Sequence, residues 1–341
     1  MTSSLLSGAP TPEDQKLDQA LRPRNFDEFI GQGRVKENIL IYIEAAKRRG
    51  EPLDHTLFSG PPGLGKTTLA ILIADALGSK LKSTSGPAIE RPGDLVGILT
   101  SLAQGDVLFI DELHRLGRVV EEYLYSAMED FVIDITLEQG AYARSVRIPL
   151  PRFTLVGATT REGLLTSPFR ARFGIVEKLE LYPPEDLEHV IRNSAARLNV
   201  PIDEQGAKAL AHCSRGTPRV ANRLLRRVRD IAQVLGAGDV TLDSARQGLE
   251  RLGVDANGLD PTDRRILQTI LRAGGAPVGV KTIAVTIGEE EDTIEEVYEP
   301  YLIQRGYLEK TPRGRCATDL AIRHYGGPDM PGTRQKAIFG A

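Results

Sequence analysis

Residues 60–68 read Gly60-Pro61-Pro62-Gly63-Leu64-Gly65-Lys66-Thr67-Thr68. Their types and spacing suit them to hold a nucleoside triphosphate. Glycines let backbone N–H groups turn inward around phosphate oxygens without a Cβ in the way. Lys66 brings an ammonium to the β- and γ-phosphates, and Thr67 offers a hydroxyl to Mg²⁺. A second acidic pair closes the apolar run Val107-Leu108-Phe109-Ile110, namely Asp111 and Glu112. Asp111 is suited to the Mg²⁺ shell, and Glu112 to polarising an attacking water. A third run, Phe153 to Ala158, ends in the hydroxyls of Thr159 and Thr160, either of which can reach a γ-phosphate or that water. Arg170 and Arg172 stand at a polar-to-apolar boundary. An arginine supplied to a neighbouring subunit stabilises phosphoryl-transfer charge, whereas a surface ion pair contributes little. Arg219, in Gly216-Thr217-Pro218-Arg219, opens a helix from which it can sense the bound phosphates.

Such groups must be carried by strand tips and helix starts. The phosphate loop follows the apolar Thr56-Leu57-Phe58 and precedes an apolar-periodic helix through Leu69, Leu72, Ile73 and Leu77, a strand–loop–helix order. The pattern predicts strands over 56–59, 81–84, 106–111, 153–158 and 175–180, within a parallel α/β domain spanning 17–183. Between two of them, 131–150 alternates around Gly140 and reads as an inserted β-hairpin. Pro183-Pro184 ends the sheet domain. Residues 184–254 read as all-helical, with helices over 185–198, 203–214, 217–235 and 241–252. From 255 to 330, helices over about 261–273, 279–287 and 290–304 precede two short strands around Pro312-Arg313-Gly314, the pattern of a winged helix. Residues 1–16 read as a disordered N-terminus and 331–341 as a flexible tail.

The bulk composition narrows the class. The chain has 341 residues, 41% hydrophobic and 26% charged, with a formal charge of −3, which fits a multidomain globular protein and gives no global polyanion signal. No run approaches membrane-spanning length, and the first residues lack a signal-peptide core. Cys213 and Cys316 show no metal-ligand spacing and fit a reducing cytoplasm. Charge is segregated near the C-terminus. From Pro300 onward basic residues outnumber acidic ones seven to three, directly after an acidic stretch from Glu289 to Glu299. The two stretches are either solvated faces or a local nucleic-acid site.

The order of loop, acidic pair, hydroxyl tip, arginine pair and Gly-Thr-Pro-Arg turn resembles the AAA+ ATPases. Closer still is the RuvB family of bacterial Holliday-junction branch-migration motors. The strings that carry this are Leu21-Arg22-Pro23, Phe26-Asp27-Glu28-Phe29-Ile30-Gly31-Gln32, Thr84-Ser85-Gly86-Pro87-Ala88-Ile89-Glu90, Ile110-Asp111-Glu112-Leu113-His114-Arg115-Leu116, Gly157-Ala158-Thr159-Thr160-Arg161, Glu299-Pro300-Tyr301-Leu302 and Thr311-Pro312-Arg313-Gly314-Arg315. The resemblance covers about 17–325. It departs at Leu113 and Lys310 and leaves both ends unmatched, without removing a chemical group.

The resemblance implies an AAA+ P-loop parallel-sheet domain, an all-α lid and a C-terminal winged helix. It implies hydrolysis of ATP to ADP with Mg²⁺, by a cytoplasmic homohexamer that encircles duplex DNA during recombination and repair. Leu21 and Arg22 would line the adenine with Tyr182 near the ring. Gly63, Gly65, Lys66, Thr67 and Thr68 would cradle the phosphates, with Glu129, Asp130 and Phe131 also at the nucleotide. Thr159 would be the first sensor, Arg219 the second, and Arg172, before Arg170, the arginine acting in trans. Lys310, Arg313 and Arg315 would touch DNA phosphates. Hairpin 131–150 would dock the junction-binding partner RuvA, unless it closes on its own domain, and the RuvC resolvase is a further partner. Two other classes share part of the pattern. A clamp loader would carry a helical collar in place of the wing, and a sequence-reading regulator would prefer a defined duplex.

Overall fold

Five short runs, Thr56–Ser59 (β1), Leu81–Ser85 (β2), Val107–Asp111 (β3), Thr154–Thr159 (β6) and Ile175–Lys178 (β7), form one parallel sheet in the order β2-β3-β6-β1-β7. The structure, a computed structural model, describes residues 19–136, 145–236 and 238–326. The three inner strands are apolar and buried nearly throughout, as a sheet covered on both faces requires. The edge strand β7 instead alternates buried and exposed residues. Helices Gly33–Arg49 (α1), Lys66–Leu77 (α2), Pro92–Thr100 (α3) and Arg118–Glu129 (α4) accompany the sheet. Leu57, Leu108, Ile110, Leu113, Leu155, Phe169 and Phe173 share its core. Register sets Ser59 beside Thr159 and Ile110 beside Gly157, so the tips of β1, β3 and β6 end on one edge. That is the edge where ligands of open parallel sheets bind.

The inserted hairpin pairs Val132–Thr136 (β4) with Ser145–Pro149 (β5) in antiparallel register, Ile133 opposite Ile148. Ile133 is buried in the sheet's core, whereas Val146 is exposed. The hairpin's root thus packs on its own domain. Its turn, with Leu137 and Gly140, lies outside the described residues, as do 1–18 and 327–341.

Residues 22–60 and 64–180 make one compact unit; the other comprises, among the described residues, 19–21, 61–63 and 181–326. The second unit opens with helices Pro184–Arg197 (α5), Glu204–His212 (α6), Pro218–Leu235 (α7) and Leu242–Arg251 (α8). Asp203, Thr217 and Thr241 cap the last three through their side chains. Then come Pro261–Leu271 (α9), Val280–Ile287 (α10), a helical run, the wing strands Leu308–Thr311 (β8) and Gly314–Ala317 (β9), and Asp319–Tyr325 (α11). The run expected as one helix over 290–304 is Glu291–Thr293, a π-helical turn Ile294–Tyr298, and Glu299–Gln304. Pro300 accounts for the wide turn, because its ring would clash with the carbonyl four residues back and it has no N–H to donate. Ile266, Leu267, Ile283, Tyr298 and Leu302 form the core of this part. The boundary that the sequence marks near 254 falls within this second unit.

Candidate active site

The phosphate loop joins β1 to α2. Gly65 precedes α2 at φ 100°, a left-handed conformation that only glycine adopts readily, and a Cβ there would reach within 3.1 Å of the Phe29 ring. No side chain caps α2, so its first N–H groups point into the loop. Lys66 is buried, and its ammonium donates to the Gly60 carbonyl at 2.6 Å, folded back over the loop. Thr67 and Thr68 follow, both half-buried, on the first turn.

Asp111 ends β3, and its Oδ1 accepts the Glu112 N–H at 2.9 Å. This bond holds the bend that turns Glu112 out of the sheet at φ 49°. Glu112 pairs with Arg115 at 3.1 Å and remains half-exposed. The two successive carboxylates are thereby held differently, Asp111 on the Glu112 N–H and Glu112 beside Arg115.

The hydroxyl tip resolves between its two threonines. Thr159 is fully buried. Its hydroxyl accepts the Arg161 N–H at 3.0 Å and shares a 3.0 Å hydrogen bond with His114 Nδ1. The Thr159 side chain thus braces the turn after β3 against β6, and Thr160 beside it is half-buried. His114 was not anticipated as a site residue. Its only signal was its place in the string after Asp111-Glu112.

Arg170 and Arg172 differ in how they are held. Arg170 is exposed and only loosely paired with Glu162, at 3.5 Å. Arg172 donates to the Pro168 carbonyl at 2.7 Å, pairs with Glu129 at 3.1 Å, and lies with its guanidinium carbon 4.3 Å from the centre of the Tyr125 ring. Tyr125 and Thr166 in turn both hydrogen-bond Glu121. Arg172 is therefore presented in a fixed orientation. Glu129, expected at a nucleotide, holds this arginine, and Asp130 beside it is exposed. Phe131 turns its ring toward His55 and Phe153, at centroid distances of 6.1 and 5.8 Å, with Arg152 over its face. Its side chain belongs to that cluster.

In the second unit Leu21 and Tyr182 are buried. The Leu21 carbonyl accepts from Arg197 at 2.9 Å, and the Tyr182 N–H donates to the Gly216 carbonyl at 2.8 Å. Arg22 is half-buried. The loop residue Gly63, at φ 83°, faces Arg219: a Cβ built there would come within 3.1 Å of the Arg219 Cβ. Cys213 is buried, which pushes its thiol up to about 11 and leaves it inert.

The three wing residues expected at DNA are held differently. Arg315 is buried, and its guanidinium donates to Glu299 at 2.5 Å and Glu295 at 2.6 Å. Lys310 is half-exposed and pairs with Glu295 at 3.3 Å and Glu299 at 3.5 Å. Arg313 projects from the turn between β8 and β9, exposed. The acidic stretch thus folds back onto the basic wing. Arg315, expected on a phosphate, ties the wing to the helical run that carries Glu295 and Glu299.

Comparison with known proteins accords with this geometry. A family model described as the Holliday junction DNA helicase RuvB P-loop domain matches residues 21–179. Models of the RuvB AAA lid domain and the RuvB C-terminal winged helix domain match 182–255 and 256–326. The chain is 57% identical over 338 residues to the Holliday junction branch migration complex subunit RuvB of Myxococcus xanthus (strain DK1622), covering 99% of this chain and 98% of that protein. A structure of the Thermotoga maritima RuvB Holliday junction branch migration motor superposes with a TM-score of 0.83 at 50% identity, covering 90% of this chain and 98% of that one. A substituted form of the same Thermotoga protein gives a TM-score of 0.84 at 49% identity, covering 91% and 99%.

Proposed function

The chain belongs to the RuvB family, and from that premise we propose how its residues perform the work. It is an ATPase motor of Holliday-junction branch migration, built as a P-loop sheet domain, a helical lid and a winged helix. We read it as a cytoplasmic homohexamer around duplex DNA, with RuvA docked on hairpin 131–150 and RuvC as a further partner.

ATP binds with its phosphates in the loop 60–68, where Lys66 exchanges its bond to the Gly60 carbonyl for the β- and γ-phosphates. Thr67 and Asp111 offer hard oxygen donors of the kind Mg²⁺ takes, and fit it. Bound there, Mg²⁺ supplies neutralisation of charge on the β- and γ-oxygens. Glu112 accepts a proton from the attacking water, and Thr159 as first sensor, with Thr160 beside it, orients that water. Arg172, held by Glu129 and Tyr125, reaches a neighbouring subunit's γ-phosphate, with Arg170 beside it. Leu21, Arg22 and Tyr182 receive the adenine. Loss of the γ-phosphate changes what Arg219 contacts and moves the turn that leads into its helix. A nucleotide drives such a change only through unequal affinity for the two arrangements. Arg313 and Lys310 meet DNA phosphates, which positions the protein without reading sequence. A motor that translates any duplex needs that indifference.

The observation that carries the mechanism is the shared edge of β1, β3 and β6, which gathers the lysine loop, the two carboxylates and the threonine tip at the end of one sheet. The test is strand conversion of a labelled four-way junction, with ATP, with and without the junction-binding partner. ATP-dependent conversion of junctions of unrelated sequence is the expected result. Turnover of ATP without conversion under any condition would overturn the motor reading, and a preference for one defined duplex would favour a regulator.

A further inference from the structure

Arg215 lies one residue before the Gly216-Thr217-Pro218-Arg219 turn, and the mechanism above makes no use of it. Its side chain is only 3% exposed. Its Nη2 pairs with Asp260 at 2.9 Å and also with Asp263. These two carboxylates cap each other's backbone at the start of α9: Asp260 accepts the Asp263 N–H at 2.8 Å, and Asp263 the Asp260 N–H at 2.9 Å. The guanidinium carbon lies 5.5 Å from the ring centre of Tyr298 and 5.6 Å from that of Tyr301. One side chain from the turn between α6 and α7 therefore grips two elements of the winged-helix region, α9 and the helical run.

The joint around it is packed as well. Residues 253–260 connect the lid to the winged helix, and their backbone is held at several points. Arg264 donates to the Leu259 and Gly253 carbonyls at 2.9 and 3.0 Å. Tyr301 donates to the Asn257 carbonyl at 3.1 Å, and Tyr325 to Asp255 at 2.9 Å. Gly258 comes so close to α6 that a Cβ there would lie 3.1 Å from the Cys213 Cα. Arg215 itself sits in the left-handed region at φ 52°, where a side chain is strained and surrounding contacts must hold the backbone.

A buried charge cluster is a poor way to add stability, because desolvation offsets most of the attraction. Burial opposes the charge on Arg215, but Asp263 and Asp260 outweigh it and its pKa rises. Burial also pushes Asp263 up to about 7, with Asp260 adding to it. Apolar side chains would fill the same space without that conflict. What they would not do is fix one geometry between a turn and a helix start, as a planar donor shared by two capping carboxylates does.

We propose that Arg215 is a positioning residue that carries the nucleotide-dependent movement of the Arg219 turn into the DNA-holding winged helix. The inference rests on the motor reading. Arg215 lies on the turn that leads into α7 and Arg219 on the first turn of that helix, so a change in what Arg219 contacts displaces Arg215, and with it Asp260, Asp263 and α9.

The test is R215K in the full chain, which keeps the charge but loses the flat, branched head. ATP binding and ATP turnover should stay within about twofold of the parent, while conversion of a labelled four-way junction slows by about tenfold, so that fewer base pairs move per ATP. That ratio separates positioning from mere folding, since partial unfolding lowers turnover and conversion together. A proportional loss of both, or an unchanged ratio, overturns the proposal. Should R215K fail to fold, R215M/D260N/D263N removes the three charges together and is read by the same ratio. A parent chain that converts no junction defeats the motor reading; a parent that does, beside a variant with an unaltered ratio, defeats this inference alone.

Discussion

In the sheet unit, Glu112, Arg170 and Arg172 keep 46%, 47% and 20% of their side chains exposed at the ends of strands and turns. In the lid and winged-helix unit, Arg215 and Arg315 keep 3% and 8%, folded against acids on other elements. The same residue types are held for different work. Charges at the sheet's edge are braced from one side and left open on the other, so that a substrate can complete them. Charges in the second unit complete one another, and what they fix is the relation between helices. Removal of a charge should therefore cost rate in the first unit and structure or coupling in the second.

The largest effect should come from Arg172. R172A should lower turnover by about 10³–10⁵ while ATP still binds, because the arginine acts on charge that develops only in the transition state. E112Q should follow, with a loss of about 10²–10⁴ from the missing general base. Mixing the two variants distinguishes an arginine acting in trans. A ring that pairs an intact Arg172 with an intact Glu112 at some interfaces should regain turnover, and steady-state phosphate release across mixing ratios measures it. No recovery at any ratio would confine Arg172 to its own subunit. R170A should matter far less, since Arg170 is exposed and its ion pair with Glu162 is loose, at 3.5 Å.

In the wing the comparison is made within a few residues. R315A leaves the buried Glu299 and the half-buried Glu295 with Lys310 still beside them but without Arg315, and should destabilise the unit by about 3 kcal/mol, read from denaturant midpoints. R313A, on an exposed turn, should change stability by no more than about 0.5 kcal/mol. It should instead weaken DNA binding evenly across sequences and lower the salt slope by about 1. If R315A leaves the midpoint unchanged and R313A lowers it, the two arginines have been assigned the wrong way round.

Much of the site was legible because its chemistry is local in sequence. Gly60 to Thr68 and Asp111-Glu112 each place reactive groups within a few residues of a strand end, and periodicity locates the strands. What was not legible depends on partners distant in sequence. Thr159 and Thr160 are adjacent and identical in type, and only the contact with His114, 45 residues away, turns one of them inward. Arg315 looks like a phosphate ligand until the acidic stretch 16–20 residues earlier folds onto it. Arg215 carried no signal at all, because its partners lie 45 and 48 residues downstream beyond a marked boundary. The π-helical turn was missed for a different reason: Pro300 inside an apolar-periodic run announces a disturbance but not its form.

The gentlest prediction concerns pH, and it again divides the units. His55 is buried at the start of β1, where its Nδ1 accepts the Leu155 N–H at 2.8 Å, so the ring proton sits on Nε2 and is donated to the Met128 carbonyl at 3.1 Å. Burial lowers its pKa below the ordinary 6.5, despite opposing contributions from the Met128 bond and Asp54. A second proton would have to sit on the nitrogen already facing an N–H. The unfolded chain therefore takes up a proton near pH 6.5 that the folded sheet unit refuses, and stability present above that pH is lost as pH falls below it. Asp263 has the opposite sign. Its raised pKa favours the protonated carboxyl, so acid does not weaken the second unit through it. Amide exchange, corrected for its intrinsic pH dependence, should show protection in β1, β6 and α4 declining from pH 7 to pH 5.5 while α9 holds. H55Q, which offers a donor and an acceptor but no titration, should flatten the first trend. A slope that survives in H55Q would assign the acid sensitivity of the sheet unit to some other group.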